Sequence, residues 1–282
     1  MNTPAEVAAA GQLACLLEVS APKPGNVSPD RHFHDTRYED FLASAVAIGP
    51  ALLDAGKQPI GAVVRRAVED TRRWTKSNTN LGIVLLLAPV AKAAMLSGGT
   101  LRQRLARVLA ETTVRDAEDV YAAIRRAHPG GLGAAAAEDV SNPPTVSLRT
   151  AMGLAAERDA IAREYVTDFA LTFDVGVPAL RAALDDDLSW GDASVDAYLR
   201  LLDATPDTHI GRKLGPREAE AVSVRARQVL NAGGARTATG RAALTQLDTE
   251  LRDPRNRRNP GATADLTCAA IFVVILEGGW DR

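Results

Sequence analysis

Lys23 stands in a short turn-like stretch, Lys23-Pro24-Gly25-Asn26, just beyond Glu18 at the end of an Ala-rich helical segment. Prolines on both sides of the lysine restrict the backbone, and Gly25 permits a turn that a side chain would hinder. A rigid turn that presents one ammonium group suits a phosphate or carboxylate partner. The same residues are also compatible with an ordinary loop that ends a helix and exposes its lysine.

A second polar loop, residues 76–82, runs into an apolar segment and contains Asn78, Thr79 and Asn80. The free N–H groups and the dipole at the start of a helix favour anions, and these side chains add donors and acceptors. The loop does not match the glycine-rich phosphate loop of nucleoside triphosphatases. Helix capping by Thr79 or Asn80 is the alternative interpretation, although capping requires only one such residue.

A third loop, residues 259–266, opens the last helix of the chain. Thr263 can cap that helix, and Asp265 in its first turn would be stabilised by the helix dipole. Four arginines lie just upstream of this loop: Arg252, Arg255, Arg257 and Arg258. Such a cluster could hold a polyphosphate, whereas basic runs are more often simply solvated.

The stretch 207–213 is a further basic element, with Arg212, Lys213 and a candidate proton carrier, His209. A loop cap with exposed cations is the alternative interpretation of the same residues. We expect no zinc site at His32 and His34, because no clear third ligand accompanies them. The absence of a Gly-x-Ser-x-Gly elbow and of a reactive cysteine also disfavours nucleophilic hydrolases.

The elements that position these loops are predicted to be helices. The 282 residues include 51 Ala, the strongest helix former, whereas aromatic residues make up only 4%. Apolar residues recur at helical spacing between Gly, Pro and Asn loops, and no stretch shows convincing strand alternation. We therefore predict one compact all-α domain over residues 1–282, with two central buried helices at about 82–96 and 263–277. A single helix is predicted over 147–172.

The net charge and the lengths of the apolar stretches argue against a nucleic-acid-binding protein and a membrane protein. Thirty-three basic and 35 acidic residues give a net charge of −2, so no positive excess is available for nucleic-acid binding. Cys15 and Cys268 are predicted to be small core residues in a reducing compartment. The longest uncharged apolar stretch, 81–91, is too short to cross a membrane, and no basic residue precedes Lys23. We expect a soluble cytoplasmic protein with no membrane partner.

Taken together, the loops resemble those of the triphosphoribosyl-dephospho-CoA synthase family. In order along the chain, the matching stretches are Lys23-Pro24-Gly25-Asn26 after Glu18, Asn78-Thr79-Asn80-Leu81-Gly82, Pro129-Gly130-Gly131-Leu132-Gly133, Thr208-His209-Ile210-x-Arg212-Lys213 and Asn259-Pro260-Gly261-x-Thr263-Ala264-Asp265-Leu266. The resemblance implies an all-α enzyme that uses ATP and 3′-dephospho-CoA, releases adenine and transfers the triphosphoribosyl group to a ribose hydroxyl. Its product would be the prosthetic-group precursor of citrate lyase or malonate decarboxylase.

That chemistry suggests roles for the residues in the loops. Breaking an N-glycosidic bond builds positive charge on the ribose, which carboxylates can stabilise, whereas phosphates need cations. We expect Glu18 and Asp265 to act in proton transfer or in binding Mg²⁺ together with ATP. The residues expected to bind phosphate or orient the nucleotide are Lys23, Gly25, Asn26, Asn78, Thr79, Asn80, Arg212 and Lys213. The Lys23, Asn80 and Asp265 loops are predicted to meet in one cleft.

One departure from the family pattern leaves the substrates open. The better-known members carry an Asn-Thr-His-Lys-Gly loop where this chain has Asn78-Thr79-Asn80-Leu81-Gly82. A paralogue that acts in biosynthesis of a one-carbon carrier of the methanopterin or methanofuran type is therefore an alternative. An alternative that is not an enzyme is a non-catalytic helical ligand-binding protein, in which the polar loops would serve only as helix caps. The oligomeric state is also open, with a homodimer among the alternatives.

Overall fold

The structure, a computed structural model, describes residues 2–280 and confirms the all-α class. Its helices, in chain order, are α1 (Pro4–Ser20), α2 (Tyr38–Ala47), α3 (Gly49–Leu53), α4 (Ile60–Thr71), α5 (Leu81–Ala94), α6 (Leu101–Ala110), α7 (Val114–Ala127), α8 (Leu148–Ala155), α9 (Ala160–Val166), α10 (Val177–Asp185), α11 (Trp190–Ala204), α12 (Thr208–Leu214), α13 (Pro216–Asn231), α14 (Ala238–Leu251) and α15 (Gly261–Leu276). A π-helical turn covers Leu171–Gly176, and a 3₁₀ turn covers Gly234–Arg236. Within residues 2–280, β pairing is limited to one isolated bridge, Ser28 with Arg31.

The backbone contacts divide the chain into two compact units. The first comprises residues 2–15 and Asp40–Phe169, and the second comprises Leu16–Glu39 and the segment from Ala170 to residue 280. Helices α1 and α2 each run from one unit into the other. The expectation of a single domain over residues 1–282 stays a prediction.

In the first unit, α5 is the apolar helix that the sequence predicts, and all but two of its residues are buried. It packs against α4 and α6, while α4 also lies along α7. Gly61 makes the approach of α4 to α7 possible, because a Cβ atom there would lie 2.4 Å from the carbonyl oxygen of Asp116. The Gly61 N–H donates to the Asp116 carboxylate at 2.9 Å, which fixes the register of the two helices.

In the second unit, α15 is the other predicted apolar helix, and its run from Leu266 to Val274 is almost completely buried. It packs against α10, α11 and the π-helical turn, with Gly176 facing Ala270 too closely for a side chain. A further cluster of buried residues on α11, α13 and α14 includes Tyr198 and Leu251. Both cysteines are buried free thiols, as the sequence predicts.

The predicted helix over 147–172 is wrong, because three separate segments occupy it. Asp159 accepts hydrogen bonds from the N–H groups of Ile161 and Ala162 and so starts a new helix, α9. Asp168 and Phe169 then adopt positive φ angles of 50° and 59°, which no α-helix contains. Helical periodicity runs through these breaks because each segment buries an apolar face of the same spacing.

No helix formed by residues 2–280 has both the length and the apolar character needed to cross a bilayer.

Candidate functional site

Glu18 and Lys23 form a buried ion pair at the end of α1, with Lys23 Nζ 2.9 Å from Glu18 Oε1. The lysine ammonium also donates to the backbone carbonyls of Glu18 and Ala21. An ammonium has three donors, so all three have protein acceptors here. The interpretation of Lys23 as an exposed loop lysine is therefore wrong, since its side chain is 0% exposed. Lys23 fixes the position of the Glu18 carboxylate.

The turn after Lys23 is held by side chains from three later helices and loops. Tyr198 Oη donates to the Pro24 carbonyl at 2.8 Å. The Gly25 N–H donates to Asp248 at 2.8 Å, and its carbonyl accepts from Asn259 Nδ2 at 3.0 Å. With its backbone groups satisfied in this way, the turn is preorganised before any ligand binds.

Asn26 contributes to the same network through both ends of its side-chain amide. Its Nδ2 donates to Tyr198 Oη at 3.1 Å, and its Oδ1 accepts from Asn259 Nδ2 at 2.8 Å. Its backbone carbonyl accepts from Arg252 at 2.9 Å. Asn26 is thus a structural member of the turn, and its role in orienting a nucleotide stays a prediction.

Asp207 joins the first turns of two helices with one buried carboxylate. One oxygen accepts from the N–H groups of His209 and Ile210 at 2.8 and 3.0 Å, which caps α12. The other accepts from the N–H and hydroxyl groups of Thr263 at 2.8 and 2.7 Å. Burial raises the pKa of Asp207, although these hydrogen bonds act in the opposite direction.

This arrangement corrects two expectations about the last helix. Because Asp207 satisfies the Thr263 N–H from outside, α15 begins at Gly261, and Thr263 lies inside it instead of capping it. Asp265 consequently falls beyond the first turn, where the helix dipole acts less strongly. The side chain of Asp265 is partly buried.

His209 is packed against the start of α15. Its Nδ1 atom is buried and makes no hydrogen bond of normal geometry, with Asn259 as a polar neighbour. A Cβ atom on Gly261 would lie 2.4 Å from it, so this contact requires glycine. Burial, followed by the charges of Lys213 and Arg212, lowers the pKa of His209 to about 3. His209 is therefore neutral near pH 7, which argues against proton transfer through an imidazolium.

Arg212 and Lys213 occupy the last turn of α12 and are both partly exposed. Burial lowers the pKa of Lys213, and the neighbouring Arg212 adds to this effect. The Lys213 ammonium lies 3.4 Å from the backbone carbonyl of Asn256, a long contact that leaves donors for a ligand. These two cations are better placed than Lys23 to contact a phosphate.

The arginine cluster before α15 is largely neutralised within the protein. Arg252 pairs with Asp248 at 2.7 Å, and Arg258 pairs with Glu218 at 2.8 Å. Arg257 lies 3.7 Å from a third carboxylate. These ion pairs favour the interpretation of the cluster as a structural, solvated run over a polyphosphate site.

In the first unit, Asn78, Thr79 and Asn80 in the loop before α5 do not make the contacts that the capping interpretation predicts. Neither Thr79 nor Asn80 caps the helix with its side chain. Asn78 does so, because its Oδ1 accepts from the Leu81 N–H at 3.1 Å. The expectation that Thr79 or Asn80 serves as the cap is therefore wrong.

Thr79 and Asn80 are instead buried and bonded to neighbouring helices. The Ser44 hydroxyl donates to the Asp40 carbonyl at 2.6 Å, so its 2.6 Å bond with Thr79 must be donated by Thr79. Asn80 Nδ2 donates to Thr71 Oγ1 at 2.9 Å. The loop is fixed by α2 on one side and α4 on the other.

The second unit contains most of the predicted site. Asn259 links the 23–26 turn to the start of α15, and Asp207 links α15 to α12. The predicted residues on these connected elements are Glu18, Lys23, Gly25, Asn26, Arg212, Lys213 and Asp265. Asn78, Thr79 and Asn80 belong to the first unit, and their sharing of one cleft with the others stays a prediction.

Three residues of this network were missed in the sequence: Tyr198, Asp207 and Asp248. Asp207 had a usable signal, because an aspartate directly before a short Thr-His-Ile run is typical of a helix cap. Tyr198 and Asp248 lie within amphipathic helices, where nothing in the local pattern distinguishes them.

The histidine pair near the 23–26 turn is used in other contacts. His32 Nδ1 accepts from the Tyr38 N–H at 3.0 Å, and His34 Nδ1 lies 3.0 Å from Asn256 Nδ2. Across residues 2–280, no three His, Cys, Asp or Glu side chains are grouped to hold a metal ion.

Comparison with known proteins places the chain in a family. The model of the CitG family, ATP:dephospho-CoA triphosphoribosyl transferase, matches residues 4–282. The chain belongs to this family. Curated CitG relatives, provisionally named 2-(5''-triphosphoribosyl)-3'-dephosphocoenzyme-A synthases, include proteins of Pseudomonas fluorescens and Pseudomonas syringae. They are 31% identical over 111 residues and 35% identical over 85 residues. These segments cover 39% and 30% of this chain, and only 38% and 28% of the relatives' own lengths.

A solved structure extends the similarity over most of the CitG fold. It comes from Archaeoglobus fulgidus and is provisionally named a triphosphoribosyl-dephospho-CoA synthase. The similarity has a TM-score of 0.66 and 29% sequence identity, and it covers 84% of this chain and 99% of the other.

Gly25 provides a test of how tightly the turn of this CitG chain is packed. Its φ angle is +75°, and a Cβ atom would lie 2.9 Å from Leu251 Cβ and 3.1 Å from Pro260 Cδ. Gly25→Ala should lower the free energy of unfolding by about 2–4 kcal/mol, the sum of left-handed strain and crowding. Gly98→Ala is the matched control, because its φ is +78° with nothing within 4 Å. Equal losses in urea denaturation would contradict close packing at Gly25.

His209 should make the stability of the folded protein depend on pH. Its folded pKa of about 3 lies below the value of about 6.5 for an unfolded histidine. The unfolded chain therefore binds the extra proton as the pH falls, and stability present above pH 6.5 is lost. From pH 7 to pH 5 this amounts to about 2 kcal/mol. Denaturant unfolding should show that His209→Gln removes this part of the loss, and equal losses in both proteins would contradict it.

Proposed function

We propose that the protein transfers the triphosphoribosyl group of ATP to a ribose hydroxyl of 3′-dephospho-CoA and releases adenine. The observation that carries this proposal is the CitG family match over residues 4–282. The preorganised polar network of the second unit supports it, because it brings cations and carboxylates onto connected elements.

The reaction needs two kinds of stabilisation. The bond between C1 of the ATP ribose and adenine breaks, and a bond from C1 to the acceptor oxygen forms. Positive charge develops on the ribose while the bond to adenine lengthens, so nearby carboxylates stabilise it. The acceptor hydroxyl loses its proton to a base, and the departing adenine takes up one proton.

We assign the phosphate contacts to Arg212 and Lys213. Both lie on the last turn of α12 and are partly exposed, and within residues 2–280 the Lys213 ammonium makes one long contact, to the Asn256 carbonyl. Lys23 has its three donors occupied by Glu18 and Ala21. A phosphate could reach Lys23 only by breaking a buried ion pair, so we assign Lys23 to holding Glu18.

The two carboxylates differ in their surroundings and hence in their proposed roles. Glu18 is buried and fixed by Lys23, which suits a stationary negative charge near the developing positive charge. Asp265 is partly buried on α15, so its side chain is more accessible to the acceptor hydroxyl. We therefore propose Asp265 as the base.

The two carboxylates are poorly suited to bind Mg²⁺ directly, because Asp265 is the proposed base and Glu18 is paired with Lys23. Protein sites for Mg²⁺ often use one or two carboxylates and complete the shell with substrate phosphates and water. A Mg²⁺ ion that accompanies ATP would therefore be held by the triphosphate oxygens and by water. When bound, Mg²⁺ would neutralise part of the triphosphate charge.

The direct test is to incubate the purified protein with ATP, dephospho-CoA and Mg²⁺ and to measure free adenine and the mass of the product. We expect adenine and a triphosphoribosylated acceptor in equal amounts. If adenine were released only when a one-carbon carrier precursor is the acceptor, that precursor would replace dephospho-CoA as the proposed acceptor. No adenine with either acceptor would contradict the proposed transfer.

Lys213→Met should separate phosphate binding from chemistry. Loss of one charge-assisted hydrogen bond is worth about 1.5–3 kcal/mol, so the KM for ATP should rise roughly 10- to 100-fold while kcat changes little. Arg241→Met is a suitable control, because Arg241 is exposed and paired with Asp192. A lower kcat with unchanged KM would contradict the assignment of Lys213.

A further inference from the structure

A groove with an unusual number of arginines lies between α4 and α7, within the first unit. Its volume is about 460 Å³, and its lining residues are Arg65, Glu69, Arg72, Arg73, Ala122 and Arg126. Arg65 and Glu69 lie on α4, and Arg72 and Arg73 directly follow its last residue. Their spacings of four, seven and eight positions from Arg65 place these residues on one side of the helix and its end. Arg126 faces them from α7.

The protein compensates only part of this positive charge. Arg65 donates to Glu69 at 2.9 Å and to Asp119 at 3.1 Å, so Glu69, the one carboxylate of the lining, is already engaged. Among residues 2–280, Arg72 and Arg126 have no carboxylate partner, and Arg72 donates to the backbone carbonyl of Lys76. Neighbouring guanidinium groups without a counter-charge repel one another, and a bound anion removes that cost.

We propose that this groove binds a small anion of the di- or triphosphate class. Guanidinium groups present paired N–H donors that match phosphate oxygens, and several around one concave surface can contact successive phosphates. The volume is in the range of small-molecule sites. The proposal is independent of the proposed function, since none of its residues belongs to the transfer chemistry.

We favour phosphate over an acidic protein surface because the groove is concave and is lined by arginines from both α7 and the α4 side. Arg72 is also tethered to the 76–82 loop through the Lys76 carbonyl. Anion binding at Arg72 is thus positioned to stabilise the loop that precedes α5.

The test is calorimetric titration of the full chain with tripolyphosphate at low and physiological salt. We expect the double variant Arg72→Ala, Arg126→Ala to lose one binding event and to raise its dissociation constant at least tenfold. Arg115→Ala, which removes an exposed arginine of α7 paired with Glu118 and Asp119, should titrate like the unmodified protein. Arg126 is exposed, and Arg72 loses one hydrogen bond to the Lys76 carbonyl, so both variants should stay folded, which melting curves recorded in parallel check.

Three outcomes decide the proposal. If the double variant and the unmodified protein titrate alike, the groove does not bind phosphate and the proposal is wrong. If a hexaglutamate peptide bound more tightly than tripolyphosphate, and the double variant lost the binding of that peptide, the phosphate proposal would be overturned in favour of an acidic protein partner. If the protein releases no adenine but binds tripolyphosphate, and the double variant loses this binding, the proposed transfer fails while the groove site stands.

Discussion

Asp265→Asn is expected to lower turnover by roughly 10²–10⁴, the usual contribution of a general acid–base group. The substitution keeps the size and shape of the side chain and removes its capacity to accept the acceptor's proton. Because Asp265 lies beyond the first turn of α15 and is partly exposed, the helix should tolerate the change. The measurement is adenine release at saturating substrate, with the melting curve recorded in parallel.

Lys213→Met is the contrasting variant for this experiment. It should change mainly the KM for ATP, whereas Asp265→Asn should change mainly kcat. If Asp265→Asn kept near-normal turnover with a verified substrate, Asp265 would be a helix residue without a catalytic role. The base would then have to be sought among the other carboxylates of the second unit.

Asp207→Ala is expected to lower the free energy of unfolding by about 2–4 kcal/mol, because it removes the caps of two helices at once. Four hydrogen bonds to one buried carboxylate are lost, and the donors of Thr263 are left buried. Relief from burying the charge offsets part of this cost, which keeps the estimate below the sum of four hydrogen bonds. Urea denaturation at neutral pH measures the change.

Asp159→Ala is the matched control for Asp207→Ala. Asp159 caps one helix, α9, through the N–H groups of Ile161 and Ala162, and loss of a helix cap typically costs about 1 kcal/mol. If Asp207→Ala proved no more destabilising than Asp159→Ala, the bond from Asp207 to α15 would contribute nothing to stability.

The class of the fold could be predicted from sequence because its main signal is local. Helices α5 and α15 are apolar on nearly every face, and a segment of that kind is stable only when neighbours cover it. The loops between helices were also visible, since Gly, Pro and Asn interrupt the periodicity. The breaks inside 147–172 were not, because they depend on a cap by Asp159 and on two residues with positive φ.

The candidate site was predictable in its residues and less so in their arrangement. Lys23, Asn26 and Asp265 stand out by type, but the sequence does not show that Glu18 and two carbonyls surround the Lys23 ammonium. The contact between Asp207 and Thr263 joins residues 56 positions apart. Such contacts follow from the packing of whole helices, so no local pattern announces them.

The carboxylate of Asp207, shared by α12 and α15, has a consequence for engineering. Suppose that only the 207–213 segment is exchanged between two CitG proteins to change substrate specificity. The chimera then combines α12 of one protein with α15 of the other. The Asp207 carboxylate then has to accept hydrogen bonds from two helices that come from different proteins and need not have the original spacing. Functional chimeras should therefore carry residues 207–213 and 259–266 together, as one exchangeable block.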